Sequence, residues 1–557
     1  MDKETLSSYG WIVIITLVLA VMIALASPFG EFVGDGVVTV VNGFIDTNSE
    51  KLGDENMESL GNKWDQKFEN GVNGAVPTVY ELQKTYKFEY YSTLENATSD
   101  ANANTIGTNA DVDKKDAEAG IYVDENGRVN VVLLKDISLS NHIELSNGIC
   151  LNLGGHKIKT NSDNLSQIIN IIGTKKVIID GRLKNSEIVY EGTKQNSFGI
   201  RARDNTNVEI IGLKYTVNEN KNKVTNSNCL ISIYNPASGN MLIKDCDIVV
   251  NSENSQSYGI YNIGTSQVDN TRITVNSKYN GIGISNYSND IVVMNSEIYM
   301  YSENNISRGI YLEQGSVNVK IDNCKIESFS NAKYIQGILI KTPSNEVEIS
   351  NSTIDVHSNK GQSAFALYIQ NSNKILIKNC DVYSSYCVMV TEYANVYIDG
   401  GLYESADFIL YSDCENNIFS FKNATFRTVK YNDEKYGFEV LASEIFSALL
   451  YFGEHQDSTN GMKQNNNKMY IDNCVFDNKI YENEEVRSAI IAIRNINTSG
   501  NELYISNSRI DQKNGIRIDN NGHKLYLGQG NNFTKESMVL EKNWDCVVET
   551  NDVYNIQ

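Results

Sequence analysis

The decapeptide VKIDNCKIES, Val319 to Ser328, sets a cysteine between an asparagine and a lysine, with Asp322 before it and Glu327 after it. A thiol in such company could ligate a metal or act as a nucleophile. The acids offer a second chemistry. Glu327 and Asp355 occupy equivalent places in neighbouring segments, and Asp477 and Asp511 occupy the same place further along. Two carboxylates about 5 Å apart could share Ca²⁺ or serve as the acid and nucleophile of a retaining glycosidase. Tyrosine is the third candidate: with 32 in the chain, an outward row of rings could stack on sugars. Tyr261, Tyr311 and Tyr368 follow a glycine-bearing segment, and Tyr397, Tyr470, Tyr504 and Tyr526 recur at one outward place of the cysteine-bearing segment.

The element that positions these side chains is a repeat. VKIDNCKI has relatives in MLIKDCDI, SQVDNTRI, IVVMNSEI, VEISNSTI, ILIKNCDV, FSFKNATF, MYIDNCVF and LYISNSRI. All read apolar, any, apolar, any, Asn or Asp, small, any, apolar. The Asn/Asp positions Asp245, Asn270, Asn295, Asn323, Asn351 and Asn379 are spaced by 25, 25, 28, 28 and 28 residues. A second segment precedes each copy, as in YGIYNI at Tyr258, RGIYL at Arg308 and QGILI at Gln336. Both segments alternate apolar residues, so each predicts a short strand with one buried face. One such unit cannot bury a core alone; stacked units bury a continuous one.

The repeat decides between these roles for the cysteine. Cys246, Cys324, Cys380 and Cys474 share a slot with Thr271, Ser296, Ser352 and Ala424, which a reactive centre would not do. Cys324 and Cys380, two coils apart at ~4.8 Å per coil, are too distant for a disulfide. An odd total of nine cysteines suggests reduced, buried thiols. The residue after the slot reads Asp247, Arg272, Glu297, Lys325, Thr353 and Asp381, a sign alternation that suits a solvent-exposed stack. Lone surface acids remain the plainer reading of Glu327, Asp355, Asp477 and Asp511.

Two or three short strands per period, with no intervening helix, resemble the right-handed parallel β-helix of the pectate-lyase-like superfamily, Asn-rich turns included. The resemblance covers roughly residues 121–548, with an insertion at about 429–468. It implies an all-β solenoid and leaves function open among lyases, hydrolases, adhesins and scaffolds. The polygalacturonase-like signatures Asn-Thr-Asp, Asp-Asp, Gly-His-Gly and Arg-Ile-Lys do not occur in the repeats. Nor does the chain contain His-Glu-x-x-His, Cys-x-x-Cys, a Walker loop or a G-x-S-x-G elbow.

Ahead of the solenoid, Trp11 to Ala26 carries neither charge nor proline, and the run from Tyr9 to Phe29 would span about 31 Å as a helix, a bilayer core. It is either a retained single-span anchor or a signal peptide cleaved after Ala24-Leu25-Ala26. The n-region is poorly basic, with Lys3 between Asp2 and Glu4. SYGWIVIITLVLAVMIALASPFGEFVGDGVVTVVNGF looks like the hydrophobic helix of Flp-type pilins, although Ser8 stands where that family has glutamate. Residues 1–45 therefore predict a membrane-anchor or pilin-like helix, and 46–120 a polar, partly disordered linker with short helices.

A net charge of -21 disfavours nucleic acid as a partner. The sequence thus predicts an exported, membrane-anchored surface protein whose β-helix binds or displays, with glycan as the expected ligand and Ca²⁺ as the one cofactor it could hold. A polysaccharide lyase or glycoside hydrolase of the same fold is the alternative, and a pilin-like filament subunit a third.

Overall fold

A computed structural model describes residues 76–160, 165–192, 197–219, 229–428 (without 288, 314, 333, 342–345, 359–363 and 413), 450–453, 466–477, 491–494, 499–510, 515–518, 522–533 and 546–554. The apolar N-terminal segment, including Trp11–Ala26 and Ser8, lies outside the described residues, as does most of the expected insertion. Among the described residues no helix is long and apolar enough to cross a membrane.

The repeats form a parallel β-solenoid with three strands per coil. Strand pairing sets the count: Asp247–Ser252 pairs with Arg272–Ser277, Gln256–Asn262 with Asn280–Asn286, and Thr265–Asp269 with Asn289–Met294, each in parallel with its equivalent one coil on. We call these face C, face A and face B; within a coil the chain runs A, B, then C. Alternation sends one side chain of two inward. On face B the inward ladder runs Ile243, Val268, Val293, Ile321, Ile349 and Ile377, all buried. Apolar burial at ~25 cal/mol per Å² is the main stabilising contribution, and each coil receives it from two neighbours.

The repeat asparagine sits between faces B and C, where the backbone turns through the left-handed region. Asn270, Asn295, Asn323, Asn351 and Asn379 have φ between 47° and 52°, and Asp245 has φ 55°. Asparagine tolerates this conformation better than other non-glycine residues, which explains its recurrence. Side-chain bonding between coils adds to it: Asn323 Nδ2 donates to Asn295 Oδ1 at 2.8 Å and Asn295 Nδ2 to Asp269 Oδ1 at 2.9 Å. A second, buried ladder closes the turn from A to B, with Asn235 Nδ2 donating to Asn262 Oδ1 at 2.7 Å and Asn262 to Asn286 at 2.5 Å.

Residues 76–133, the first part of which falls in the segment expected as a polar linker with short helices, form an ordered cap. Helix α1 (Val79–Thr85) opens with a capping box between Thr78 and Glu81. Strand β1 (Glu89–Tyr91) leads to helix α2 (Leu94–Ala103), and β2 (Ala119–Val123) and β3 (Val129–Leu133) form an antiparallel hairpin. Leu94, Ala97 and Ala101 bury one side of α2 against the core, and Asn102 bonds Ser146 N and the Glu144 carbonyl. Small residues hid the amphipathic face: alanines pack the cap without raising the local hydropathy. The cap covers the backbone edge that a solenoid otherwise leaves open.

Candidate functional site

The cysteine slot is a hydrogen-bonded ladder inside the B-to-C turn. The cysteine, threonine and serine occupants donate to the carbonyl two residues back: Cys324 Sγ to Asp322 at 3.3 Å, Ser296 Oγ to Met294 at 2.6 Å, and Ser352 Oγ to Ser350 at 2.7 Å. The same side chains accept from the preceding coil, as where Cys324 N donates to Ser352 Oγ at 3.0 Å. Burial pushes the thiols of Cys246, Cys324 and Cys474 up to about 12 and that of Cys380 to about 11. Thiolate is scarce at neutral pH, so nucleophilic chemistry is closed to them. We expect Cys324→Ser to shift stability by no more than about 1 kcal/mol, because serine keeps the donor. Alkylation of native protein followed by mass spectrometry should leave Cys246, Cys324, Cys380 and Cys474 unmodified until denaturant is added.

Outward side chains of face C fall in three rows, one residue per coil. The first runs Lys157, Glu187, Lys214, Asp247, Arg272, Glu297, Lys325, Thr353 and Asp381. Sign alternation thus extends three coils further back than the sequence suggested. One expectation fails here: Asp247 and Arg272 are not solvent-exposed. They are 0% and 7% exposed and form a bidentate pair, Nε to Oδ1 and Nη2 to Oδ2 both at 2.7 Å. The Arg272 guanidinium of the next coil covers both Asp247 oxygens, a contact between coils that period-2 reasoning alone does not register.

The second row joins the candidate acids. It reads Tyr299, Glu327, Asp355, Tyr383, Glu404, Arg427 and Asp477. Glu327 and Asp355 are opposite each other in register on adjacent coils. Lys325 Nζ lies 2.8 Å from Glu327, and Asp355 Oδ1 lies 3.0 Å from Nδ1 of buried His357. Asp477 is separated from that pair by three coils and is 3.5 Å from Arg427, which also bonds Glu404 at 2.8 Å. Asp511 lies outside the described residues. His357, Tyr383 and Arg427 were missed by sequence reading; aligning every repeat at the place of Glu327 would have found the last two. Among the described residues no group of three or more His, Cys, Asp or Glu side chains converges on a metal position.

The tyrosines divide into two sets. Tyr397, Tyr470, Tyr504 and Tyr526 share one row of face B, interrupted by Ser420. Tyr470, Tyr504 and Tyr526 stack on one another with centroids 4.6 and 4.5 Å apart and planes within 7°. Tyr504, the middle ring, has both faces covered, and Tyr470 and Tyr526 each have one face covered by it. Tyr261, Tyr311 and Tyr368 lie on face A in an apolar cluster with Tyr258, Ile282 and Leu339. Tyr311 is only 8% exposed and carries Arg308 over its ring at 4.5 Å. Cross-strand packing, rather than an open aromatic platform, is what this spacing produces.

The third row of face C lines a groove of about 790 Å³. Glu191, Asn218, Asn251, Asn276 and Tyr301 follow one another coil by coil. Asn218 Nδ2 donates to Glu191 Oε1 at 3.1 Å, Asn251 to Asn218 at 2.9 Å and Asn276 to Asn251 at 2.9 Å. Buried Glu219 fixes one wall: its carboxylate accepts from Ser252 Oγ, from the amides of Glu253, Asn254 and Ser255, and from Ser255 Oγ. These asparagines drew no notice in sequence because they fall outside the eight-residue motif.

No protein family, no curated protein and no solved structure matches the chain.

One row of face B also carries a pH dependence. The Ser350 hydroxyl holds the Asp322 carboxylate below its usual value, against the opposing effect of burial and with help from the Asn351 amide and Lys320. A depressed carboxylate stabilises the fold above its unfolded value of about 3.9 and loses that contribution as pH falls through the folded value. The difference in melting temperature between wild type and Asp322→Asn should shrink as pH drops from about 5 to about 2.

Proposed function

We propose that the protein is an exported, surface-displayed binding solenoid whose ligand is a glycan. The observation that supports this best is the groove of face C, where a ladder of oriented amides presents the same donors and acceptors once per coil. Asparagine amides match sugar hydroxyls as both donors and acceptors. In this reading the coil is right-handed, following the general rule for parallel crossovers, and belongs with the pectate-lyase-like β-helices. The apolar segment at Trp11–Ala26 anchors the chain in the membrane, with the solenoid outside the cell; release after Ala26 or pilin-like assembly are the other fates open to it.

A second reading, cleavage of the glycan by hydrolysis or elimination, draws on one observation: Glu327 and Asp355 face each other in register, and Asp355 approaches His357. Neighbouring strands bring such carboxylates within the ~5 Å range of a retaining pair. One assay separates the two. Purified protein incubated with a panel of neutral and acidic polysaccharides should retain ligand without forming new reducing ends or unsaturated products. Product formation that disappears in Asp355→Ala would replace binding by catalysis.

A further inference from the structure

Resting on the glycan reading above, we propose that the face C groove takes an extended, β-linked polysaccharide built of neutral or amino sugars, laid along the solenoid axis at about one sugar per coil, and that it rejects polyuronates. Three features lead to this.

The first is spacing. Coils are ~4.8 Å apart, close to the length that one pyranose adds to an extended β-linked chain. Glu191, Asn218, Asn251, Asn276 and Tyr301 give one polar contact to each of five successive coils. A ligand repeating at the same pitch would meet equivalent amides on the three middle coils, with Glu191 before them and Tyr301 after.

The second is orientation. Each amide has two N–H donors and two carbonyl lone pairs. The ladder uses one donor of Asn218, Asn251 and Asn276 and one acceptor of Asn218 and Asn251, and in doing so locks every amide the same way round. The remaining capacity is preorganised, and the Glu219 cage stiffens the wall beside it. Little side-chain entropy is left to lose on binding. Tyr301, half-buried at the end of the row, ends the floor with a ring.

The third is charge. The groove is lined by Glu191, Glu219, Glu253 and Glu303 against Lys278, whose Nζ is 3.6 Å from Glu253. The whole chain carries -21. A polymer bearing a carboxylate on every sugar would meet like charge at each coil, whereas hydroxyls or ammonium groups would find acceptors.

The test is isothermal titration of the full chain with cello-, xylo- and glucosamine oligomers of increasing length, from dimer to hexamer, and with oligogalacturonate. We expect affinity for a neutral or glucosamine oligomer that rises with length up to about five units, and none for the uronate. Asn251→Ala should weaken it about tenfold, with Tyr301→Ala as a second variant that leaves the amide ladder intact; unchanged melting temperatures certify both. Neutral-oligomer binding indifferent to both variants would overturn the groove assignment while sparing the glycan reading. Oligogalacturonate binding would overturn the proposed class. Failure of every saccharide to bind would overturn the glycan reading itself.

Discussion

Replacing Arg272 with methionine should destabilise the solenoid by about 3–5 kcal/mol, the largest effect expected of any single side chain on face C. Asp247 is fully buried and its two oxygens each accept a 2.7 Å bond from the guanidinium. Without that partner a carboxylate would be held out of water on a strand flanked by aliphatic and long polar neighbours. The Coulombic attraction itself is not what makes the change costly. Taking both charges out of water nearly cancels it, so Asp247→Leu combined with Arg272→Met should recover most of the loss. Urea unfolding of the two single variants and the double variant measures this. Equal losses in the double and Arg272→Met variants would show that the pair, rather than the orphaned acid, carries the energy. Nearest-neighbour coupling in solenoids also predicts that coils beside Asp247 open first, and hydrogen exchange of the amides of Val249 and Thr274 should report it.

The general form of the fold was legible because it repeats. Period and alternation at Asp245, Asn270, Asn295 and Asn323 specify parallel stacking, and these four lie in successive coils. The slot shared by cysteine, serine and threonine was legible for the same reason: substitution among copies shows what a position requires. Side-chain partners were less so. His357 meets Asp355 on the same strand, and Asn218, Asn251 and Asn276 line up only once coils of unequal length are placed in register. Irregular period lengths of 25 and 28 residues displace such equivalences in the sequence but not in space. The cap was hidden differently, by small residues in α2 that pack closely without a hydrophobic signal.

This ordering bears on which surface does the work. Rows that satisfy themselves, such as the charge ladder from Lys157 to Asp381 and the stack of Tyr470, Tyr504 and Tyr526, leave little interaction capacity for a ligand. The groove row differs in that its internal bonding uses only part of each amide.

Introducing valine at Gly309 should be the most damaging change on face A. Glycines 259, 283, 309 and 337 point into the core one above another. A Cβ at Gly309 would lie 2.5 Å from Ile326 Cγ2 and 2.6 Å from the Gly337 carbonyl oxygen. Side-chain rotation could relieve the first contact but not the second, because the carbonyl belongs to the ladder of the next coil. Overpacking of this kind costs about 1–3 kcal/mol, and valine, with two further carbons, should reach the upper end. Sequence supports the steric origin: where Ile354 gives way to Val382 on face C, the equivalent of glycine becomes Ala366. Shortening Ile326 to alanine in Gly309→Val should therefore restore only the part due to the side-chain clash. Thermal melts of Gly309→Ala, Gly309→Val and Gly309→Val/Ile326→Ala separate the two contributions, and full recovery in the double variant would show that the backbone contact is unimportant.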